Sequence, residues 1–205
     1  MDMVQYAQRL FLTERSRERT MKTLHWTSRD LELLPDDGNR YEIIDGELYV
    51  AKQPDWQHQL AGFRLGFLLQ VWNEQSQAGL VNLTPGIIFA DDTNVVPDMI
   101  WISQERLKTA LHKDGKLHNA PELVVEVLSP GPENERRDRE VKVKLYSRRN
   151  VKEYWVVNWQ ERTLEVYRRE DAVLTLEKTL EETDVLQSPL LPGFTCKVSQ
   201  IFTSL

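Results

Sequence analysis

The sequence predicts an α/β fold of the mixed α+β kind, in which a central mixed β-sheet is flanked by helices and preceded by an N-terminal hairpin. Three observations carry this. Tyr41-Glu42-Ile43-Ile44 and Glu47-Leu48-Tyr49-Val50 flank Asp45-Gly46, a pair that tolerates positive φ and so favours a tight hairpin. Between His58 and Gln77, Leu60, Phe63, Phe67, Leu68, Val71 and Trp72 recur at three- and four-residue steps, as on one face of an amphipathic helix. Glu122–Leu128, opened by Pro121, is the most hydrophobic run and reads as a central strand.

The elements follow in order. Residues 1–22 form a charged extension outside the core: from Gln8 to Lys22, Arg9, Arg15, Arg17 and Arg19 alternate with Glu14 and Glu18, without the apolar stretch of a signal peptide. Residues 23–205 make a single domain, since 205 residues with 40% hydrophobic content suffice for one core. Ser28 caps a short helix through Leu34 that Pro35-Asp36-Asp37-Gly38 stops. After the long helix, which Gly79 ends, Leu80–Leu83, Gly86–Ala90 and Val96–Ile102 read as strands of a meander, separated by Pro85 and by Asp91-Asp92-Thr93-Asn94. Glu133–Arg149 is helical, and Val151–Asn158, Thr163–Arg168 and Val173–Leu180 are further strands.

Composition narrows the chemistry. A net charge of −6 is unusual for a protein that grips nucleic acid by bulk electrostatics, so any such contact needs a local basic patch or a bound metal. Cys196 is the single cysteine, which excludes an intrachain disulfide and a Cys-based zinc site and fits a reducing cytoplasm. No stretch approaches the ~20 apolar residues of a membrane span. A Gly-rich phosphate loop is missing, so no nucleotide cofactor is expected.

Against this background one ordered set stands out: Asp98 after Pro97, Glu126 inside Leu123–Leu128, and Lys142 on the charged helix. Alternate residues of a strand share a face, so Glu126 lies with Val124 and Leu128 and interrupts an apolar surface. A carboxylate there must be paired, protonated or bound to metal. If the two strands are neighbours, Asp98 and Glu126 converge on one hard cation, with the Val127 carbonyl completing an oxygen-rich shell. Asp138, Lys142 and Tyr146, at i, i+4 and i+8, form one helical stripe that brings the lysine to the site. Two carboxylates and a lysine are what a Mg²⁺-dependent phosphodiesterase needs.

The chain resembles the restriction endonuclease domain family of the PD-(D/E)XK nuclease superfamily, from about Tyr41 to Tyr167. The matching pieces are Tyr41–Leu48, His58 after Pro54, Pro97-Asp98, Glu122–Pro130, the Asp138/Lys142/Tyr146 spacing and Glu153–Val157. The resemblance implies a restriction-endonuclease-like core, Asp98 and Glu126 as metal ligands, and Glu42 as an early acid completing the site. The superfamily's usual lysine, two residues after the second acid, is replaced here by Leu128, so its role migrates to Lys142. Asn158 stands where this branch usually has Asp, and Gly131-Pro132 replaces a Ser/Thr-rich stretch.

Each residue also has a plainer reading. Asp98 can be a strand-entry residue, Glu42 an exposed hairpin residue, Lys142 a surface partner of Asp138, and Asp45 a turn residue. His58 suits the first turn of the long helix as well as a proton carrier or phosphate contact. Tyr146 suits packing. The helix 133–149 carries seven Lys/Arg against four Asp/Glu, either a solvated face or phosphate contacts through Arg136, Arg137 or Arg139. Trp101, Trp155 and Trp159 suit core or interface. The expectation is a Mg²⁺-dependent endonuclease, with Mn²⁺ as a substitute, acting on DNA as a homodimer. The rivals are an inactive nucleic-acid-binding or regulatory protein on the same fold, and a dimeric interaction module marked by an exposed Trp155/Trp159 cluster.

Overall fold

A computed structural model describes residues 24–202, and the charged extension expected over residues 1–22 lies outside the described residues. A short helix, α1 (Ser28–Leu31), leads into the hairpin β1 (Arg40–Ile44) and β2 (Glu47–Ala51). Its turn residues Asp45 and Gly46 have φ of 53° and 79°, the left-handed pair that the sequence predicts. The hairpin is one edge of a four-stranded sheet, ordered β2-β1-β5-β4, completed by β4 (Ile87–Ala90) and β5 (Thr93–Val95).

A six-stranded mixed sheet forms the centre, in the order β10-β9-β8-β7-β6-β3. Its members are β3 (Gly79–Leu83), β6 (Met99–Ser103), β7 (Leu123–Val127), β8 (Glu153–Asn158), β9 (Thr163–Glu170) and β10 (Val173–Leu180). Within it only β7 and β8 pair in parallel, and a parallel pair needs a long crossover. That crossover is α4 (Pro132–Arg136), a π-helical turn over Arg137–Val141 and α5 (Lys142–Arg148). A two-stranded ribbon of β11 (Val185–Gln187) and β12 (Thr195–Lys197) closes the described chain.

Two strand expectations need correction, and one helix was not expected. The strands after the long helix are no meander, because β3 and β6 join the central sheet while β4 and β5 join the hairpin. Thr93 and Asn94, read as separators, lie in β5, and the turn is confined to Asp91-Asp92. Helix α3 (Gln104–Ala110), capped by the Ser103 side chain accepting from the Arg106 N–H, was not visible as a periodic pattern because it is only seven residues long.

The largest correction concerns α2 (Trp56–Ser76), where Asp55 accepts the His58 N–H at 2.9 Å and caps the start. Its buried residues are His58, Ala61, Leu65, Gly66, Leu69 and Asn73. Of the predicted stripe, Leu68 and Trp72 pack against the core, whereas Phe63, Phe67 and Val71 are exposed. The true contact face mixes Leu65 and Leu69 with small and polar residues, so the bulkier outer side dominates the periodicity.

Strand β7 is buried on both faces. Leu123, Val125 and Val127 pack with Leu65, Leu69, Trp155 and Val157 under α2. Val124 and Leu128 belong to a second cluster with Ile100, Tyr146, Tyr154 and Val156 under α5. Glu126 belongs by alternation to this second face.

Candidate active site

The register of the sheet assembles the carboxylates. Antiparallel pairing of Met99 with Val125 sets Asp98, one residue before β6, across from Glu126. The Val127 N–H donates to Asp98 Oδ2 at 2.9 Å, so the two strands are tied at this level. Glu42, on β1, accepts the Val96 N–H through Oε1 at 2.7 Å, which brings the second sheet to the same place.

Helix α5 delivers the cation. Lys142 Nζ lies 2.9 Å from Glu126 Oε1, 3.1 Å from Glu42 Oε2 and 3.7 Å from Asp138 Oδ1. The Tyr146 hydroxyl donates to the same Glu126 oxygen at 3.1 Å. The cluster is closed: Lys142 and Asp138 are each 1% exposed, Glu42 2% and Glu126 3%. Arg137 Nε donates to Asp138 at 3.0 Å and extends it outwards.

Asp98 is held separately. Arg40 donates to Oδ1 at 3.0 Å, and His58 Nε2 lies 3.4 Å from Oδ2. His58 Nδ1 is buried without a hydrogen-bond partner among the described residues. Arg40 is the one cation touching these carboxylates with substantial solvent access, its side chain 29% exposed against 8% for Arg137 and 2% for Lys142.

Burial divides the two acids. It pushes the Glu126 carboxyl up to about 8, against the pull of Lys142 and with the repulsion of Asp98, Asp138 and Glu42. For Asp98 burial acts in the same direction but is overcome by the His58 contact, the Val127 amide and Arg40, which hold its carboxyl well below the usual range. Burial opposes the charge on Lys142, yet Glu126, Glu42 and Asp138 raise its pKa above the ordinary lysine value. Three permanent cations, Arg40, Arg137 and Lys142, face these acids.

The structure thus brings together Asp98, Glu126, Lys142, Glu42, Asp138, Tyr146 and His58. Glu42 is not an exposed hairpin residue, Lys142 is not on the surface, and Tyr146 both packs and donates. His58 combines its two readings, sitting in the first turn of α2 with its ring on Asp98. Leu128 packs in the apolar cluster, leaving the lysine position to α5. Asn158 still closes its strand end, accepting the Gln160 and Glu161 N–H groups at 3.1 Å each. Trp101 and Trp155 are core residues and Trp159 packs against them, so the exposed Trp155/Trp159 patch expected of an interaction module is not found. Sequence reasoning passed over Arg40, which carries no motif signal beyond its place before Tyr41.

Of the helix arginines, Arg139 is tied to Glu135 and Glu165 and Arg137 to Asp138. Arg136 lines a cavity of about 610 Å³ between β2 and α4, together with Tyr49, Glu133, Asn134, Arg137 and Val141. A second cavity of about 510 Å³ shares Tyr49, Arg136 and Val141 and adds Lys144 and Arg148. Through Arg137, this groove reaches the carboxylate cluster.

Asp98, Glu126 and the Val127 carbonyl are hard oxygen donors of the kind Mg²⁺ and Mn²⁺ take. Among the described residues no three His, Cys, Asp or Glu side chains form a ready-made cage. Mg²⁺ rarely uses one, since it keeps several waters and is bound through one or two carboxylates plus substrate phosphates. The donor set fits the metal in kind, provided Asp98 gives up one of its present partners.

A crystal structure described as a putative nuclease belonging to DUF820, from Anabaena variabilis ATCC 29413, matches with a TM-score of 0.68 at 17% identity, over 85% of this chain and 96% of that one. That likeness shows the restriction-endonuclease-like fold. A search of curated proteins gave no match. The model of the Uma2 family, described as "Putative restriction endonuclease", matches residues 28–199, and the chain belongs to that family.

Proposed function

We propose that the chain is a metal-dependent endonuclease that hydrolyses DNA phosphodiester bonds. The observation that carries the reading is the burial of Lys142 against Glu126, Glu42 and Asp138 beside Asp98. So dense an ionic cluster is weak as a stabilising device, because desolvation offsets most of the attraction. Clusters of this kind concentrate at functional sites.

Asp98, Glu126 and the Val127 carbonyl would hold Mg²⁺ or Mn²⁺. When bound, the metal would supply an acidified water and neutralise charge on the phosphate. The protein's own residues do the rest. Arg40, partly solvent-exposed, is the group able to swing off Asp98 Oδ1 and free it. Its guanidinium then offers two donors to a phosphate. Glu126 must lose its proton to become a ligand, so metal uptake releases a proton. Lys142 stays charged and stabilises the oxyanion side, with Glu42 and Asp138 holding its ammonium and Tyr146 fixing Glu126. His58 holds Asp98 in place. The groove lined by Tyr49, Arg136, Lys144 and Arg148 is the path for the DNA backbone, with Arg136 as its phosphate contact.

The test is nicking of supercoiled plasmid in Mg²⁺ or Mn²⁺ by wild type and by an Asp98→Asn/Glu126→Gln variant, alongside calorimetric titration of the metal. Metal-dependent cleavage and metal binding, both lost in the variant, are expected. A folded wild type that binds DNA yet takes up neither metal would replace this reading with the non-catalytic one.

A further inference from the structure

The outer face of α2 is apolar along most of its length. At 100° per residue, Trp56, Leu60, Phe63, Phe67 and Val71 fall on one side, opposite the buried Ala61, Leu65 and Leu69. Trp56 is 72% exposed, Phe63 62% and Phe67 59%, and the two phenylalanine rings stack with centroids 6.5 Å apart. The patch continues onto β3 at Leu83, which is about half exposed. Leu83 lies beside Gly66, where a Cβ would meet its Cδ2 at 3.3 Å, so helix and strand form one surface.

A helix that is apolar on both sides is normally covered on both. Strand β3 is also an edge of the central sheet, paired only with β6 among the described residues. At ~150–250 Å² per fully buried aromatic, the exposed fractions of the three rings, with Val71 and Leu83, amount to roughly 550 Å² on each copy. That lies at the upper end of what monomers leave contiguous, where patches are often functional. Doubled across a two-fold axis it clears the ~1,000 Å² that a specific interface needs.

We propose that this face is a self-complementary interface, on which two copies of the chain pack α2 against α2 with Phe63 and Phe67 at its centre. The chemistry favours a second copy: the face is apolar from Trp56 to Val71, whereas recognition of nucleic acid requires Lys and Arg, and α2 itself carries one cation, Arg64, donating to the Gln200 carbonyl. An isologous contact lets one such patch satisfy itself. Its centre lies on the side of α2 facing away from β7, and thus away from Asp98 and Glu126.

The test is the mass in solution of the full chain, by light scattering after gel filtration and by sedimentation across a hundredfold concentration range. Wild type should run at twice 24.0 kDa. Phe63→Glu/Phe67→Glu should halve the mass while keeping the circular dichroism spectrum. Val173→Glu/Leu176→Glu, on the opposite edge strand, should stay dimeric. A wild type that is monomeric throughout overturns the proposal and leaves residues 1–23 or a different protein as the cover. A dimer that survives the Phe63/Phe67 change, or dissolves with the Val173/Leu176 change, overturns it as well. Loss of plasmid cleavage plays no part in this readout, so the interface and the catalytic reading fail separately.

Discussion

The two faces of β7 are built from alternate residues of one strand, yet they solve opposite problems. Towards α2, Val125 and Val127 meet Leu65, Leu69 and Trp155, a surface whose stability is burial and fit. Towards α5, Glu126 meets Lys142 and Tyr146, and the neighbouring Tyr154 hydroxyl donates to the Asp138 carbonyl at 2.9 Å. Every polar group on that face needs a partner, so the face is stable only as a set. The difference teaches where selection for folding stops: apolar residues of equal volume would serve the second face at least as well.

The sharpest way to break the comparison is to remove one member of the set. Lys142→Ala leaves the acids Glu42, Glu126 and Asp138 buried around a void and should cost about 3–5 kcal/mol in urea unfolding, the range for an orphaned buried ion pair. Lys142→Met combined with Glu126→Leu and Glu42→Leu should recover most of that loss while binding no metal. A triple variant no more stable than Lys142→Ala would show that the cluster is a stabilising device after all. On the other face, Leu65→Ala should cost about 2–5 kcal/mol, with metal uptake unchanged.

The two faces also separate by pH. The Glu126 carboxyl titrates near 8 in the fold against an ordinary 4.5, so the folded chain holds a proton that the unfolded chain has released. Its contribution is full below about 4.5 and is lost as the pH rises through 8. Asp98 acts in reverse, its contribution present above the ordinary carboxylate value of 3.8 and lost as the pH falls below it. Unfolding midpoints should therefore decline between pH 5 and 8, and Glu126→Gln should flatten that decline. The smallest effect belongs to the exposed Arg148–Asp45 pair: Asp45→Asn, which keeps a turn residue, should change stability by less than about 1 kcal/mol.

These contrasts also explain what was legible beforehand. Glu126 announces itself because a charge inside Leu123–Leu128 has no cheap explanation, and Asp138, Lys142 and Tyr146 share a stripe that local periodicity reveals. The hairpin is readable from Asp45-Gly46 alone. What is hidden depends on long-range register. Nothing local to Arg40 or Glu42 says that β1 pairs with β5, which places both beside residues more than fifty positions away. Helix α2 misleads because it has two apolar sides, and the larger residues lie on the one that the fold leaves outside. Lys142, readable as a surface lysine, is buried because β1 arrives from the second sheet to cover it.

The π-helical turn over Arg137–Val141 sets the rotational phase of everything after it. At its end the Lys142 N–H donates to the Arg137 carbonyl five residues back, so the turn holds one residue more than an α-helix would. Removing a single residue there would rotate α5 by about 100° relative to α4. The aliphatic residues of α5 would then turn towards Glu126, and Lys142 would leave it. The place of the lysine is thus written as a count of residues, and a chain one shorter could keep every named side chain and still lose the cluster.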